Sequence, residues 1–309
     1  MITKSVLELI GNTPLLDVSS LAPAGSARIF AKCEFMNPGG SIKDRPALAM
    51  ILDAENRGAL KPGMTIVEPT AGNTGIGLAL VGNLKGYKTV FFVPDKMSKE
   101  KIGSMRLLGA QVFLIDRKFG MPGCIEAAKT YVAEQGNCFM PQQFENPANP
   151  RQAAEILGPE IERQLGFVPD GMAAGAGTGG TFSGLAMWLK GRNPQSTCWV
   201  VEPVGSVFCG GEKGDYQVEG IGNSFIPQTL HLDLADRILS VADSDSFHRC
   251  KQLASQLGLL VGGSAGANME AAIQLARQLG PDASVVTVFP DSVERYMSKE
   301  WVLQMTQEN

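Results

Sequence analysis

Lys43 stands in an unusual setting for an ammonium group. In NPGGSIKDR (residues 37–45) a proline and two glycines precede it, a composition that suits a tight loop. Ser41 and Asp44 are spaced like a helix N-cap and its N3 acid, and Gly58 stands where a C′ glycine would. Leu48, Ile51, Leu52 and Ala54 give an apolar stripe between them. Lys43 then falls in the first helical turn, where the macrodipole disfavours positive charge. The plain alternative is a surface lysine near a helix start.

Three glycine-rich loops carry the other candidate chemistry. PTAGNTG (69–75) follows a short β-branched run, and backbone N–H groups at a helix start suit a carboxylate or phosphate. GAGTGGT (175–181) matches GxGxxG, with Glu202 lying 22 residues past Gly180. That is a dinucleotide fingerprint, but Thr178 and Thr181 suit a terminal phosphate monoester equally well. In GGSAG (262–266) Ser264 reads either as the cap of the following helix or as a ligand contact.

The elements that must position these loops alternate between strand and helix. Strands are expected at 65–69, 88–94, 111–116, 171–174, 198–203, 237–242, 259–262 and 284–290. Helices are expected to about Leu84, from Ser98 to Gly109, and at 124–134, 151–165, 181–190, 245–256 and 265–279, with a long loop at 204–229. Such alternation predicts an α/β fold with parallel sheets flanked by helices on both faces, and a lobe boundary near 145–150. Glycine-rich strand-to-helix loops are where such sheets bind ligands.

Bulk properties narrow the class. The 309 residues are 44% hydrophobic, enough for two lobes. A net charge of −4 offers no basic field for nucleic acid. The N-terminus lacks a signal-peptide core and no run of 18 apolar residues exists, so no membrane span is expected. Six cysteines form no CxxC pair and there are two histidines, so no metal site is expected. A reduced, cytoplasmic enzyme is the simplest reading.

GNTPLL, NPGGSIKDR, EPTAGNTGIGLA, QQFENPANP, GAGTGGTFSG, VEGIGNSFIP, GGSAGA and FPDSVERYMS occur in this order across residues 11–298. The chain resembles the cysteine synthase and cystathionine β-synthase family of pyridoxal 5′-phosphate (PLP) enzymes, of fold type II. The resemblance implies two lobes, each with a twisted, mostly parallel sheet: a smaller mobile one at 41–146, and a larger phosphate-binding one at 1–40 plus 147–309. It implies that Lys43 forms the Schiff base with PLP and later moves the substrate α-proton. Asn73 would bond the cofactor's 3′ oxygen. Gly177, Thr178, Gly179, Gly180 and Thr181 would cradle the phosphate, and Ser264 would face the pyridine nitrogen, leaving it neutral. Thr70, Ala71, Gly72, Asn73 and Thr74 would hold the substrate carboxylate with Gln143, and Gly222 would lie beside the mouth.

The implied reaction is β-replacement on O-acetylserine, with sulfide giving cysteine. Homocysteine giving cystathionine is the alternative, since GGSAG, YQVEGIG and PDSVERYM are closer to cystathionine β-synthases. An amine nucleophile giving 2,3-diaminopropionate, an NAD-binding Rossmann enzyme using Glu202, and a non-catalytic PLP-fold protein are further alternatives. The family implies a homodimer and a serine acetyltransferase as partner protein. Two departures stand out: Ala71 replaces a common serine, and RQAAEIL (151–157) carries Ala153, Ile156 and Leu157 at polar or aromatic positions. These predict a less polar mouth, with Arg151 as the one cation near it for a phosphorylated donor.

Overall fold

The computed structural model describes residues 2–70 and 72–307. The chain runs β1 (Leu15–Asp17), β2 (Arg28–Cys33), α1 (Asp44–Asn56), β3 (Thr65–Pro69), α2 (Asn73–Leu84), β4 (Lys88–Pro94), α3 (Lys99–Leu107), β5 (Gln111–Ile115), α4 (Gly120–Gln135) and β6 (Cys138–Phe139). It continues with α5 (Ala148–Gln152), α6 (Gly158–Leu165), β7 (Gly171–Gly175), α7 (Gly180–Arg192), β8 (Thr197–Pro203), β9 (Arg237–Val241), α8 (Asp243–Leu257), α9 (Gly263–Leu279), β10 (Ser284–Phe289) and α10 (Glu300–Gln307).

Two sheets result. One has the order β5-β4-β3-β6 and is wholly parallel. The other, β1-β2-β10-β7-β8-β9, is parallel except at the β1 edge. Parallel strands covered on both faces need unbroken apolar runs, and SVVTVF of β10 is buried at every position. Helices α8 and α9 pack on one face of the larger sheet, around Leu253, Ile273 and Phe289. Helices α6 and α7 cover the other, around Phe182, Leu185 and Val286. Helices α1 to α3 and α4 cover the two faces of the smaller sheet.

Three local expectations are corrected. LLVG (259–262) is not a strand: only Val261 forms an isolated bridge, to Ser292. Both flanks of β10 are already taken by β2 and β7, and the segment spends its hydrogen bonds on residues 291 and 293 instead. The helix expected at 151–165 is interrupted by a π turn at Ala153–Leu157. Pro159 has no N–H for the Glu155 carbonyl, and α7 crosses so closely that a Cβ on Gly184 would overlap the Pro150 carbonyl. Leu52 lies 40% exposed while Ile51 and Ala54 are buried, so the α1 stripe is narrower than its sequence implied.

Candidate functional site

Hydrogen bonds between distant segments bring the loops together. At the end of β3, Thr70 is buried and its Oγ1 accepts from the N–H groups of Gly72 and Gly75, both at 3.2 Å. Gly72 has φ +141°, and a Cβ there would come within 2.6 Å of the Lys101 side chain. Asn73 opens α2 and donates from Nδ2 to Asp291 Oδ2 at 2.7 Å, while its buried Oδ1 has no partner. Thr74 donates to Gln143 Oε1 at 2.6 Å. Ala71 lies outside the described residues.

Gln143 is fixed from behind. The buried Glu68 carboxylate accepts from the N–H groups of Gln142 and Gln143 at 2.9 and 2.8 Å, and burial pushes its pKa up to about 7.

The second loop, after β7, is a backbone cradle. Gly179 adopts φ +84°, and a Cβ on Gly177 would come within 2.5 Å of the Gly220 carbonyl oxygen. The first N–H groups of a helix have no intrahelical acceptor. Among the described residues the N–H groups of Gly177, Thr178 and Gly179 have no protein acceptor either. Gly180 and Thr181 begin α7. Asn149 Nδ2 donates to both Thr178 Oγ1 (3.0 Å) and the Gln143 carbonyl (2.8 Å), coupling this cradle to the first loop. Thr229 donates to the Thr178 carbonyl at 2.6 Å.

The third loop enters α9. Gly262 is the cap residue and Gly263 the first helical residue, so Ser264 is buried in the first turn and is not the N-cap. The segment around Gly222 lies against both other loops: the Gly222 N–H donates to the Ala176 carbonyl at 2.7 Å, and Gly220 faces Ser264 Oγ.

Lys43 precedes α1, at its cap position. The capping box expected there is displaced. Ser41 Oγ accepts from the Lys43 N–H at 3.2 Å, while Asp44 turns back to accept from Gly39 at 2.5 Å. The lysine nitrogen has no hydrogen bond or ion pair among the described residues. Burial lowers its pKa, Asp291 opposes that, and Lys101 adds to it. The amine form is therefore favoured relative to an exposed lysine.

Three readings do not survive this geometry. Glu202 is wholly buried and accepts from the N–H groups of Phe208 and Cys209 and the Ser240 hydroxyl, so it is not free for a ribose. Ala153 and Leu157 point into the core beside α7 rather than to a mouth, and Ile156 alone of the three is exposed. Arg151 pairs with Asp53 of α1 at 3.2 Å. Asn149, Asp291, Glu68 and Thr229 had no assigned role, although the first three lie inside or beside the recognised motifs.

A family model described as pyridoxal-phosphate dependent enzyme matches residues 6–291. A probable cysteine synthase of Bacillus subtilis (strain 168) is 42% identical over 303 residues, covering 97% of each chain. An O-acetylserine dependent cystathionine beta-synthase of the same organism is 44% identical over 295 residues, 96% of each. The crystal structure of O-acetylserine dependent cystathionine beta-synthase from Helicobacter pylori superposes with a TM-score of 0.93 at 41% identity, covering 97% of this chain and 98% of that one. No described helix is long and apolar enough to cross a membrane.

Proposed function

Because this chain belongs to the pyridoxal-phosphate dependent enzyme family, we propose that it performs β-replacement on O-acetyl-L-serine, with sulfide as the nucleophile and cysteine and acetate as products. The observation that carries this reading is the buried amine of Lys43, set before a helix start and without a hydrogen bond or ion pair among the described residues, together with the N–H groups before α7 that have no protein acceptor. The residues fit the cofactor. The free N–H groups of Gly177, Thr178 and Gly179, with Gly180 and Thr181, would hold its phosphate. Lys43 would tether it, Asn73 would meet its 3′ oxygen, and Ser264 would face the ring nitrogen.

When bound, PLP supplies an electron sink that acidifies the substrate Cα–H and lets a Cβ group leave. Lys43 Nζ then takes the proton from Cα and returns it after the nucleophile has added, a role that needs the amine form which burial favours. Thr70, Ala71, Gly72, Asn73 and Thr74 would hold the substrate carboxylate, with Gln143 bracing them and Gly222 at the mouth. A neutral hydroxyl at Ser264 cannot hold a proton on the ring as a carboxylate would, which favours departure of the Cβ group over transamination. Acetate leaves more readily than hydroxide. O-phosphoserine would have to compete with Asp53 for Arg151, the cation expected to meet it.

The chain's segments GGSAG, YQVEGIG and PDSVERYM support a second reading, in which homocysteine attacks and cystathionine forms. Steady-state assays pairing O-acetylserine, serine and O-phosphoserine with sulfide, homocysteine and ammonia decide among these. Turnover of O-acetylserine with either thiol is expected. Turnover of O-phosphoserine but not O-acetylserine overturns the donor, and turnover with ammonia alone moves the enzyme to diaminopropionate synthesis.

The smaller lobe at 41–146 would close on the larger one, 1–40 plus 147–309, when substrate binds. A homodimer, a serine acetyltransferase partner and a cytoplasmic location complete the proposal; six free cysteines suit a reducing compartment.

The cradle can be tested by itself. Gly177→Ala should weaken PLP binding about tenfold or more, because the added methyl must displace the Gly220 backbone at a cost of about 1–3 kcal/mol. Equilibrium titration of the apoenzyme with PLP measures this, and unchanged affinity would show that the loop relaxes freely.

A further inference from the structure

The Lys43 segment, the loop that opens α2 and the loop that enters α9 converge on Asp291, a residue to which neither the motifs nor the proposed chemistry gives a role. It is 1% exposed. Its backbone bridges to Ser41 of the Lys43 loop, and its carbonyl accepts from the Gly262 N–H at the entrance to α9. A Cβ on Gly262 would overlap its carboxylate, so that glycine lets the third loop lie against the charge. Its Oδ2 accepts from Asn73 Nδ2 at 2.7 Å and from the Tyr296 hydroxyl at 2.6 Å, and its Oδ1 is buried without a partner. A buried carboxylate with a spare acceptor oxygen costs stability unless a positive charge stays near it.

We propose that Asp291 is a positioning residue of the cofactor site: its carboxylate fixes which way the Asn73 amide faces and sets the negative charge beside the Lys43 segment. This rests on the reading of Lys43 as the tether. By accepting from Asn73 Nδ2, the carboxylate decides which amide atoms face the cofactor's 3′ oxygen. Its charge also opposes the effect of burial on Lys43, more than any other neighbour does.

The surrounding charges do not replace it. Lys101 of α3 pushes Lys43 the other way, and its ammonium lies 4.1 Å from the Tyr296 ring centre while pairing with Glu219 at 2.8 Å. Glu219 also takes Lys299 at 2.7 Å. Glu34 supports the Lys43 proton more weakly and is itself bound to Arg45. Cys250 of α8 is pushed up to about 12, chiefly by burial, and remains neutral. Tyr296 is held far above its ordinary value by burial and by Asp291, and Arg295 opposes this. Of the two acids whose charge favours the Lys43 proton, Asp291 and Glu34, only Asp291 has an oxygen left without a partner among the described residues.

The test uses the PLP-loaded enzyme and two variants, Asp291→Asn and Tyr296→Phe. The readouts are the pH midpoint of the visible band and the affinity for PLP. Asp291→Asn removes the charge, so the midpoint should fall by about one unit or more, and PLP affinity should fall about tenfold as Asn73 loses its charged acceptor. Tyr296→Phe leaves the charge with one donor fewer, so the midpoint should rise. A merely structural role would move both midpoints alike or neither. An unmoved midpoint in Asp291→Asn overturns the proposal; where that variant does not fold, a midpoint in Tyr296→Phe that fails to rise overturns it. The visible band of the unaltered enzyme tests the Lys43 tether separately, so the two readings fail by different signals.

Discussion

Replacing Lys43 with alanine should lower β-replacement turnover by about 10³-fold or more, with the protein still folded. Positioned proton transfer contributes about 10² to 10⁴ in rate, and the same residue would also tether the cofactor. No nearby group can substitute. Lys101 is committed to Glu219 and lies over the Tyr296 ring, and Asp44 and Asp291, the acids near Lys43 with a spare buried oxygen among the described residues, cannot act as a tether. Borohydride reduction of the unaltered enzyme followed by peptide mapping should place the pyridoxyl group on Lys43. An adduct on another lysine, or a Lys43→Ala enzyme retaining a tenth of its turnover, would sink the assignment.

The largest stability effect is expected at Glu160. Its carboxylate accepts from Arg45 Nη1 and Nη2 at 2.9 Å each and pairs with Lys32. Arg45 in turn binds Glu34 at 2.7 and 2.8 Å. All four side chains are almost wholly buried. Glu160→Ala leaves Lys32 without a carboxylate partner and Arg45 with one, which should cost about 3–5 kcal/mol. The midpoint of urea unfolding checks this.

The cost arises from stranding buried charge, so removing Lys32 as well should recover much of it. The double variant Lys32→Met, Glu160→Ala is therefore expected to be more stable than Glu160→Ala alone. A double variant that is less stable would reverse that explanation. The pH dependence has a definite sign. Burial raises the Glu160 pKa, but Arg45 and Lys32 outweigh it and the net shift is downward. Its contribution is therefore fully present above the ordinary value of 4.5 and is lost as pH falls through the lower folded value. Arg45 stands two residues from Lys43, so this cluster also anchors the start of α1.

Sequence alone determined the elements whose causes are local. The β-branched run at 65–69, the Ser98 cap and the left-handed Gly58 and Gly109 lie where their chemistry put them, because propensity, capping and positive φ depend on a few neighbouring residues. The glycine-rich loops between strand and helix were legible for the same reason.

Tertiary structure decided which polar groups meet. Asn73 finds its acceptor 218 residues away at Asp291, and Thr178 is joined to Gln143 through Asn149. No spacing rule covers such distances. It also decided direction. Ala153 and Leu157 turned into the core because α7 crosses there, and Arg151 met Asp53 because α1 packs beside α5. LLVG had the composition of a strand but no free sheet edge to join. A residue's local preference survives folding only where packing leaves its hydrogen-bonding and steric demands unopposed, and at this site the crossing of distant segments set those demands.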